Sequence, residues 1–305
     1  MKHSAKIVAL LLLMFFITQI IGIAVSSVYL SNNYDVPYGL NPPQDVNPAE
    51  SLFSIIFAIA FAVLLMMLLI KFKTEMILRL WFFFVVTIAI GITINALFLA
   101  ISLPSLNPDF RLFSINLPAL LALIIAAPLA FIKIFNRNIS VHNFTEMLVY
   151  PGIAVIFVPL LSLWTTILLL ILISVYDIYA VWHTGLMQKM AKYQINNLKI
   201  FSGFFIPYLG KKEKAMIREL AEKDLKSKKI KVNLAILGGG DVVFPIILAG
   251  VVLKSAGLFS ALMVSIGASL ALLYLFYISK RGKFYPAMPF ISIGCLIGLS
   301  ASSLF

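Results

Sequence analysis

Long apolar runs separated by short polar breaks fill this chain from its seventh residue to its end. Nine can be drawn, over residues 7–30, 52–70, 76–103, 115–132, 147–161, 164–187, 232–252, 258–278 and 284–305. Most reach the ~20 apolar residues that cross a hydrocarbon core as a helix, where every backbone group must be satisfied within the span. The fifth run is short, and Pro159 and Ser162 make only a thin break before the sixth. One kinked helix there would leave eight spans. The stretch 147–187 is about twice one crossing, which favours two helices and nine spans. The first run follows Lys2 and Lys6 and carries Ala24-Val25-Ser26, a faint signal-peptidase site. It is much longer than the ~7–15 residues of a signal core and reads as a first transmembrane helix.

Composition agrees with lipid as the main solvent. Of the 305 residues 62% are hydrophobic and 12% charged, against about 25% charged in soluble domains. The net charge of +12 points to basic cytoplasmic loops in so apolar a chain, and not to a nucleic-acid partner. With the N-terminus in the cytoplasm and alternating spans, all of the 24 Lys and Arg except Arg111 and Lys254 fall inside. That bias predicts an all-α multi-pass protein of the cell membrane, N-terminus cytoplasmic and C-terminus outside. Eight spans would put the basic central loop on the wrong side. Cys295 is the single cysteine, a buried thiol with no internal disulfide to form.

Three regions follow: a six-helix region, residues 1–190; a basic cytoplasmic loop, residues 191–231; and a three-helix region, residues 232–305. The outside loop 31–50 holds Asp35, Asp45, Glu50 and four prolines, with no Lys or Arg, and is expected to pack irregularly over helix ends. In the central loop, 211–231 mixes Lys and Glu like a surface helix near anionic lipid. Residues 200–209 are apolar and too short to cross, so they either lie at the interface or occupy a groove.

Ten of the twelve acids are assigned to loops or helix ends, Glu146 among them. Asp177 and Asp241 remain inside spans. Each costs ~2.5–3.5 kcal/mol on insertion scales, so a functional role is the default. Counted at helical rise, Asp177 lies ~18 Å from the inner charge line at Lys189, and Asp241 ~15 Å from Lys231. The two depths match, and no basic residue lies in either span. Two close carboxylates without a cation share a proton. One can then take a proton from an attacking water while the other donates to a peptide carbonyl oxygen. The pair titrates as a unit, and neither Asp is singled out as base.

Gly238, Gly239 and Gly240 before Asp241 could permit close helix approach, local unwinding or nearby substrate backbone. Tyr176 diverges from Asp177 by ~100° around the helix and suits packing or substrate orientation. Pro286, Ala287, Met288 and Pro289 open the last span, where proline is tolerated in a first turn.

Together and in order, Tyr176-Asp177, Gly238-Gly239-Gly240-Asp241 and Pro286-Ala287-Met288 resemble the YD, GxGD and PAL motifs of the presenilin and signal peptide peptidase family. The resemblance implies an intramembrane aspartyl protease with Asp177 and Asp241 catalytic. It implies that Tyr176, the three glycines, Pro286, Ala287 and Met288 shape the site and engage substrate. Met288 stands where the family usually has Leu, a change expected to alter packing and leave the chemistry. The predicted orientation is similar to presenilins and opposite to signal peptide peptidases, which favours transmembrane substrates with their N-termini outside. Presenilins work in a multi-subunit complex and simpler homologues need less, so accessory subunits and oligomeric state stay open. Presenilins are also cut in the loop between spans six and seven, which makes 200–209 a candidate self-substrate. No cofactor is implied, and the two Asp have no evident third metal ligand. The competing reading is a proton- or cation-coupled transporter that uses the two acids as an ion site. A non-enzymatic membrane protein using them for helix association is a third.

Overall fold

The computed structural model describes residues 5–31, 34–41, 47–72, 75–101, 111–112, 115–136, 138–184, 202–208, 233–279 and 285–304. Most of these are helical. The helices are α1 (Ala5–Ser31), α2 (Pro48–Phe72), α3 (Glu75–Ile101), α4 (Leu117–Phe131), α5 (Ile139–Phe157), α6 (Leu163–Tyr179), α7 (Gly239–Ile278) and α8 (Met288–Ser302). Among the described residues seven helices are long and apolar enough to cross a membrane, and α8 is a shorter apolar helix. The helices start where polar side chains can satisfy first-turn N–H groups. Asn116 accepts from Ala119 ahead of α4, and Asn138 accepts from Ser140 and Val141 ahead of α5. Ser162 and Thr165 form a reciprocal capping box ahead of α6. That box, with the 3-10 turn Val158–Leu160, divides runs five and six into separate helices.

α7 would measure ~60 Å if straight, twice a ~30 Å hydrocarbon core. It bends at Gly257, whose φ of 85° and ψ of −179° lie outside the helical region and suit a residue with no Cβ. The two arms coincide with predicted runs seven and eight. α1 and α7 pack on one another at the centre; α5 packs on both, α3 packs on α1 and α5, and α8 and α6 pack on α7 and on each other. α8 comes very close to the second arm of α7. A Cβ on Gly267 would lie 2.1 Å from the carbonyl oxygen of Gly294.

The loop 31–50 packs over helix ends as expected where it is described. Tyr38, in the left-handed region at φ 67°, reaches α4 and donates its hydroxyl to the carbonyl of Ala119 at 2.9 Å. The predicted surface helix 211–231 lies outside the described residues.

One element departs from the expected helical span 232–252. Its first residues form a strand. Besides the short hairpin β1 (Arg111–Leu112) and β2 (Ile115–Asn116), β3 (Gly203–Tyr208) pairs antiparallel with β4 (Asn233–Gly238), Gly203 opposite Gly238 and Tyr208 opposite Asn233. Of the apolar stretch 200–209, residues 203–208 therefore form a strand that packs against α5, α1 and α7. Phe204, Ala235 and Leu237 are buried, while Ile236 is 40% exposed. The cause is local. Gly238 is extended (φ −65°, ψ 147°) and is at once the last residue of β4 and the N-cap of α7, so regular helix starts only at Gly239.

Candidate active site

Asp177 lies near the end of α6 and is 3% exposed. The backbone N–H of Met288 donates to its Oδ2 at 3.0 Å, and the N–H of Ala287 also donates to it. These are the N-cap and first residue of α8, where helix N–H groups lack intrahelical partners. Pro286 and Pro289 carry no N–H, so the only backbone donors in that four-residue stretch both go to Asp177. One helical turn earlier, Ser174 Oγ lies 3.0 Å from Ser292 Oγ and ties α6 to α8 at the same level.

Asp241 is the third residue of α7 and half-buried. Its carboxylate reaches back to the N–H of its own N-cap, Gly238, one half of a capping box, since a glycine N-cap has no side chain to return the bond. It also lies within electrostatic reach of Asp177. On α1, Gln19 Nε2 donates to the carbonyl of Val242 at 3.0 Å, which fixes this end of α7. Both carboxylates thus sit at the positive end of a helix dipole, Asp177 at α8 and Asp241 at α7. That answers how two buried acids manage without a cation. It also corrects the depth count for Asp241. The six residues of β4 rise ~3.3 Å each and not ~1.5 Å, so the helical estimate does not apply to that segment.

The three glycines have three different roles. A Cβ on Gly238 would fall 3.1 Å from Asp241 Oδ2, the carboxylate that caps it. A Cβ on Gly239 would fall 2.8 Å from both the Tyr150 hydroxyl and Ser202 Oγ. At Gly240 the nearest atom is Phe244 Cε2 at 3.6 Å, and the residue is exposed. Pro286 and Met288 are buried and Ala287 is half-buried. Tyr176 is 42% exposed while its neighbour Asp177 is nearly enclosed, so the two side chains leave the helix in different directions.

The structure corrects the sequence pattern for one acid. Glu146 is inside α5 and 1% exposed, so Asp177 and Asp241 are not the only buried acids. It forms an ion pair with Lys133, which lies 6% exposed in the π-helical turn Ile132–Asn136 after α4. Lys133 is therefore a buried cation and not one of the exposed inside charges. His142 Nε2 lies 3.5 Å from the same Glu146 oxygen. The one sequence signal is the position of Lys133 and Glu146 on either side of the break between runs four and five. Tyr150, 2% exposed, stands between this cluster and Gly239. Its ring meets Phe204 edge-on, with centroids 5.8 Å apart.

Among the described residues no group of three or more His, Cys, Asp or Glu is placed to hold a metal ion. A cavity of about 600 Å³ lies between α2 and the end of α5, lined by residues such as Glu50, Ser54, Ile55 and Phe157, and includes neither Asp. The arrangement suits paired-carboxylate acid–base chemistry.

The family model for signal-peptide peptidase, presenilin aspartyl protease, matches residues 12–305. The fold is similar to a solved presenilin family intramembrane aspartate protease in the C222 space group. That match has a TM-score of 0.61 at 20% identity, over 97% of this chain and 98% of that one. A second such structure, in the P2 space group, gives 0.59 at 19% identity, over 96% of each chain. No curated protein matches the sequence. With the motifs, the paired acids and the matched family all in agreement, the chain belongs to the signal-peptide peptidase and presenilin family and is an intramembrane aspartyl protease.

Proposed function

We propose that Asp177 and Asp241 are the catalytic pair, acting within the cell membrane on transmembrane segments of other proteins or on signal peptides. The observation that carries this is the pairing itself. Two carboxylates lie in electrostatic reach of one another, each aligned by N–H groups at a helix start. The ionised member takes a proton from water as its oxygen attacks the peptide carbonyl carbon. The protonated member gives its proton to the carbonyl oxygen. The tetrahedral diol then collapses: the C–N bond breaks, a proton passes to the leaving amine, and the new carboxyl group departs with the other fragment.

The same geometry offers a way to present substrate. A peptide bond inside a helix has its carbonyl engaged and is shielded from attack, so the substrate must be extended. β4 runs directly into Asp241, and an extended segment can join a strand edge through main-chain hydrogen bonds. Gly240, Ala287, Met288 and the exposed Tyr176 border the volume such a segment would fill.

Nine spans, N-terminus inside, is the topology we favour. Support comes from the two arms of α7, each about one crossing long, and from the positive-inside bias. Residues 1–190 then carry Asp177, residues 232–305 carry Asp241 and Pro286-Ala287-Met288, and the basic loop 191–231 faces the cytoplasm. By this orientation the favoured substrates have their N-termini outside. A reconstituted protein in vesicles, given a transmembrane peptide in each orientation, tests the reading by mass spectrometry. Cleavage within the apolar segment supports it. Cleavage confined to the polar flanks, or none with proton flux in its place, contradicts it.

A further inference from the structure

The two outer edges of the β3–β4 sheet differ. Along β3, the outward backbone groups are already taken by side chains of α5. Glu146 Oε1 accepts from the N–H of Gly203 at 3.4 Å, and His142 Nε2 lies 2.9 Å from the carbonyl oxygen of Gly203. Asn143 does both jobs at Phe205. Its Nδ2 donates to the carbonyl at 2.9 Å and its Oδ1 accepts from the N–H at 3.1 Å. A side-chain amide that donates to and accepts from one residue imitates a paired strand. The next outward residue, Pro207, has no N–H to offer. By the alternation of an antiparallel ladder, Phe204, Ile206 and Tyr208 turn toward β4, and Leu234 and Ile236 turn their backbone groups to the outer edge of β4.

We infer that His142, Asn143 and Glu146 are positioning residues that close the β3 edge. A substrate strand can then add to the sheet only along β4, in one register relative to Asp241. The inference rests on the protease reading above. Lys133 secures the closure by pairing with Glu146. The ring of His142 is braced on Phe205, with centroids 4.6 Å apart. A buried charge cluster is a poor source of net stability, and fixing a register is among the better attested reasons to keep one. An open strand edge accepts partners without discrimination, and covering it is how sheets limit their pairing.

The test uses the full-length protein and Asn143→Leu, which keeps side-chain size and removes both bonds to Phe205. Mass spectrometry of the products reads the cleavage position. The expected result is new products cut at other bonds, because a strand seated along the opened β3 edge meets Asp241 in a different register. Preference for the wild-type bond should fall about tenfold, the worth of one to two neutral hydrogen bonds. Unchanged product termini, at any yield, overturn the inference, because a purely structural role lowers turnover without moving the cut. Asn143→Asp keeps the acceptor and loses the donor, so it serves if the leucine variant does not fold, with the same two outcomes. Hydrogen exchange decides the matter without turnover. The Phe205 amide, whose N–H is held by Asn143, is protected in the wild type and released in the variant if the edge is closed as described; equal exchange in both refutes it. Loss of all cleavage by the wild type would count against the protease reading and leave this exchange comparison intact.

Discussion

Replacing Gly239 by alanine puts a methyl group into occupied space. The new Cβ would lie 2.8 Å from the Tyr150 hydroxyl, 2.8 Å from Ser202 Oγ and 3.0 Å from Tyr150 Cε1, against roughly 3.5–4.0 Å for a comfortable carbon contact. Tyr150 has little freedom to yield, being 2% exposed and held edge-on against Phe204. Overpacking of this kind costs about 1–3 kcal/mol. The bond from the Gly239 N–H to the Ser202 carbonyl, 3.3 Å long, is the first contact to stretch. Asp241 is two residues further on in the same helical turn. A displacement near 1 Å at a reacting group lowers turnover by ~10²-fold. Gly240→Ala is the comparator, since its nearest neighbour is 3.6 Å away and alanine gains ~1 kcal/mol of helix propensity over glycine. The family pattern GxGD fixes glycine at 238 and 240 and leaves 239 free, so sterics here make the opposite ranking for stability. Thermal unfolding in detergent, paired with single-turnover cleavage, measures both quantities. Gly239→Ala should unfold at lower temperature and cleave far more slowly, with Gly240→Ala as stable as the wild type or more so. A Gly239→Ala protein as stable and as fast as wild type would refute the packing argument.

Other substitutions separate backbone from side-chain roles. Met288→Pro removes the N–H donated to Asp177 and also strains Ala287, whose helical backbone (φ −87°, ψ −35°) a following proline disfavours, so turnover should fall by 10-fold or more (on the order of 1.5–3 kcal/mol for a bond to a charged group) with a lower unfolding temperature; Met288→Leu, which keeps the N–H, should cleave at close to the wild-type rate. Lys133→Met leaves the buried Glu146 with only His142 and the Gly203 N–H beside it, a loss of about 3 kcal/mol, and Lys133→Met with Glu146→Leu should recover most of it; thermal unfolding of the wild type and the two variants checks this. Tyr176→Phe should leave kcat within about twofold and act on KM if at all, because the side chain points away from Asp177; steady-state cleavage kinetics read the split.

Much of this molecule is legible in its sequence because lipid imposes a strong pattern. Apolar runs of span length locate the helices, and the absence of a cation near Asp177 and Asp241 marks them as a pair. What the pattern hides has physical reasons. Residues 232–238 are apolar, and apolarity alone does not separate a buried strand from the start of a helix. The strand becomes possible only with a partner at 203–208, which is distant in sequence and across a polar loop. Glu146 and Lys133 look like surface charges because each lies near the end of an apolar run; only the packing of α4 against α5 brings them together. The Ala287 and Met288 contribution is invisible as chemistry, since it is made by backbone N–H groups that any residue but proline could supply.

The central claim is tested most directly by cleavage of a transmembrane substrate by purified protein in lipid, comparing wild type with Asp177→Asn and Asp241→Asn. The account predicts internal cleavage by the wild type and none by either variant, with all three equally folded. Cleavage at the wild-type rate by either asparagine variant would contradict it.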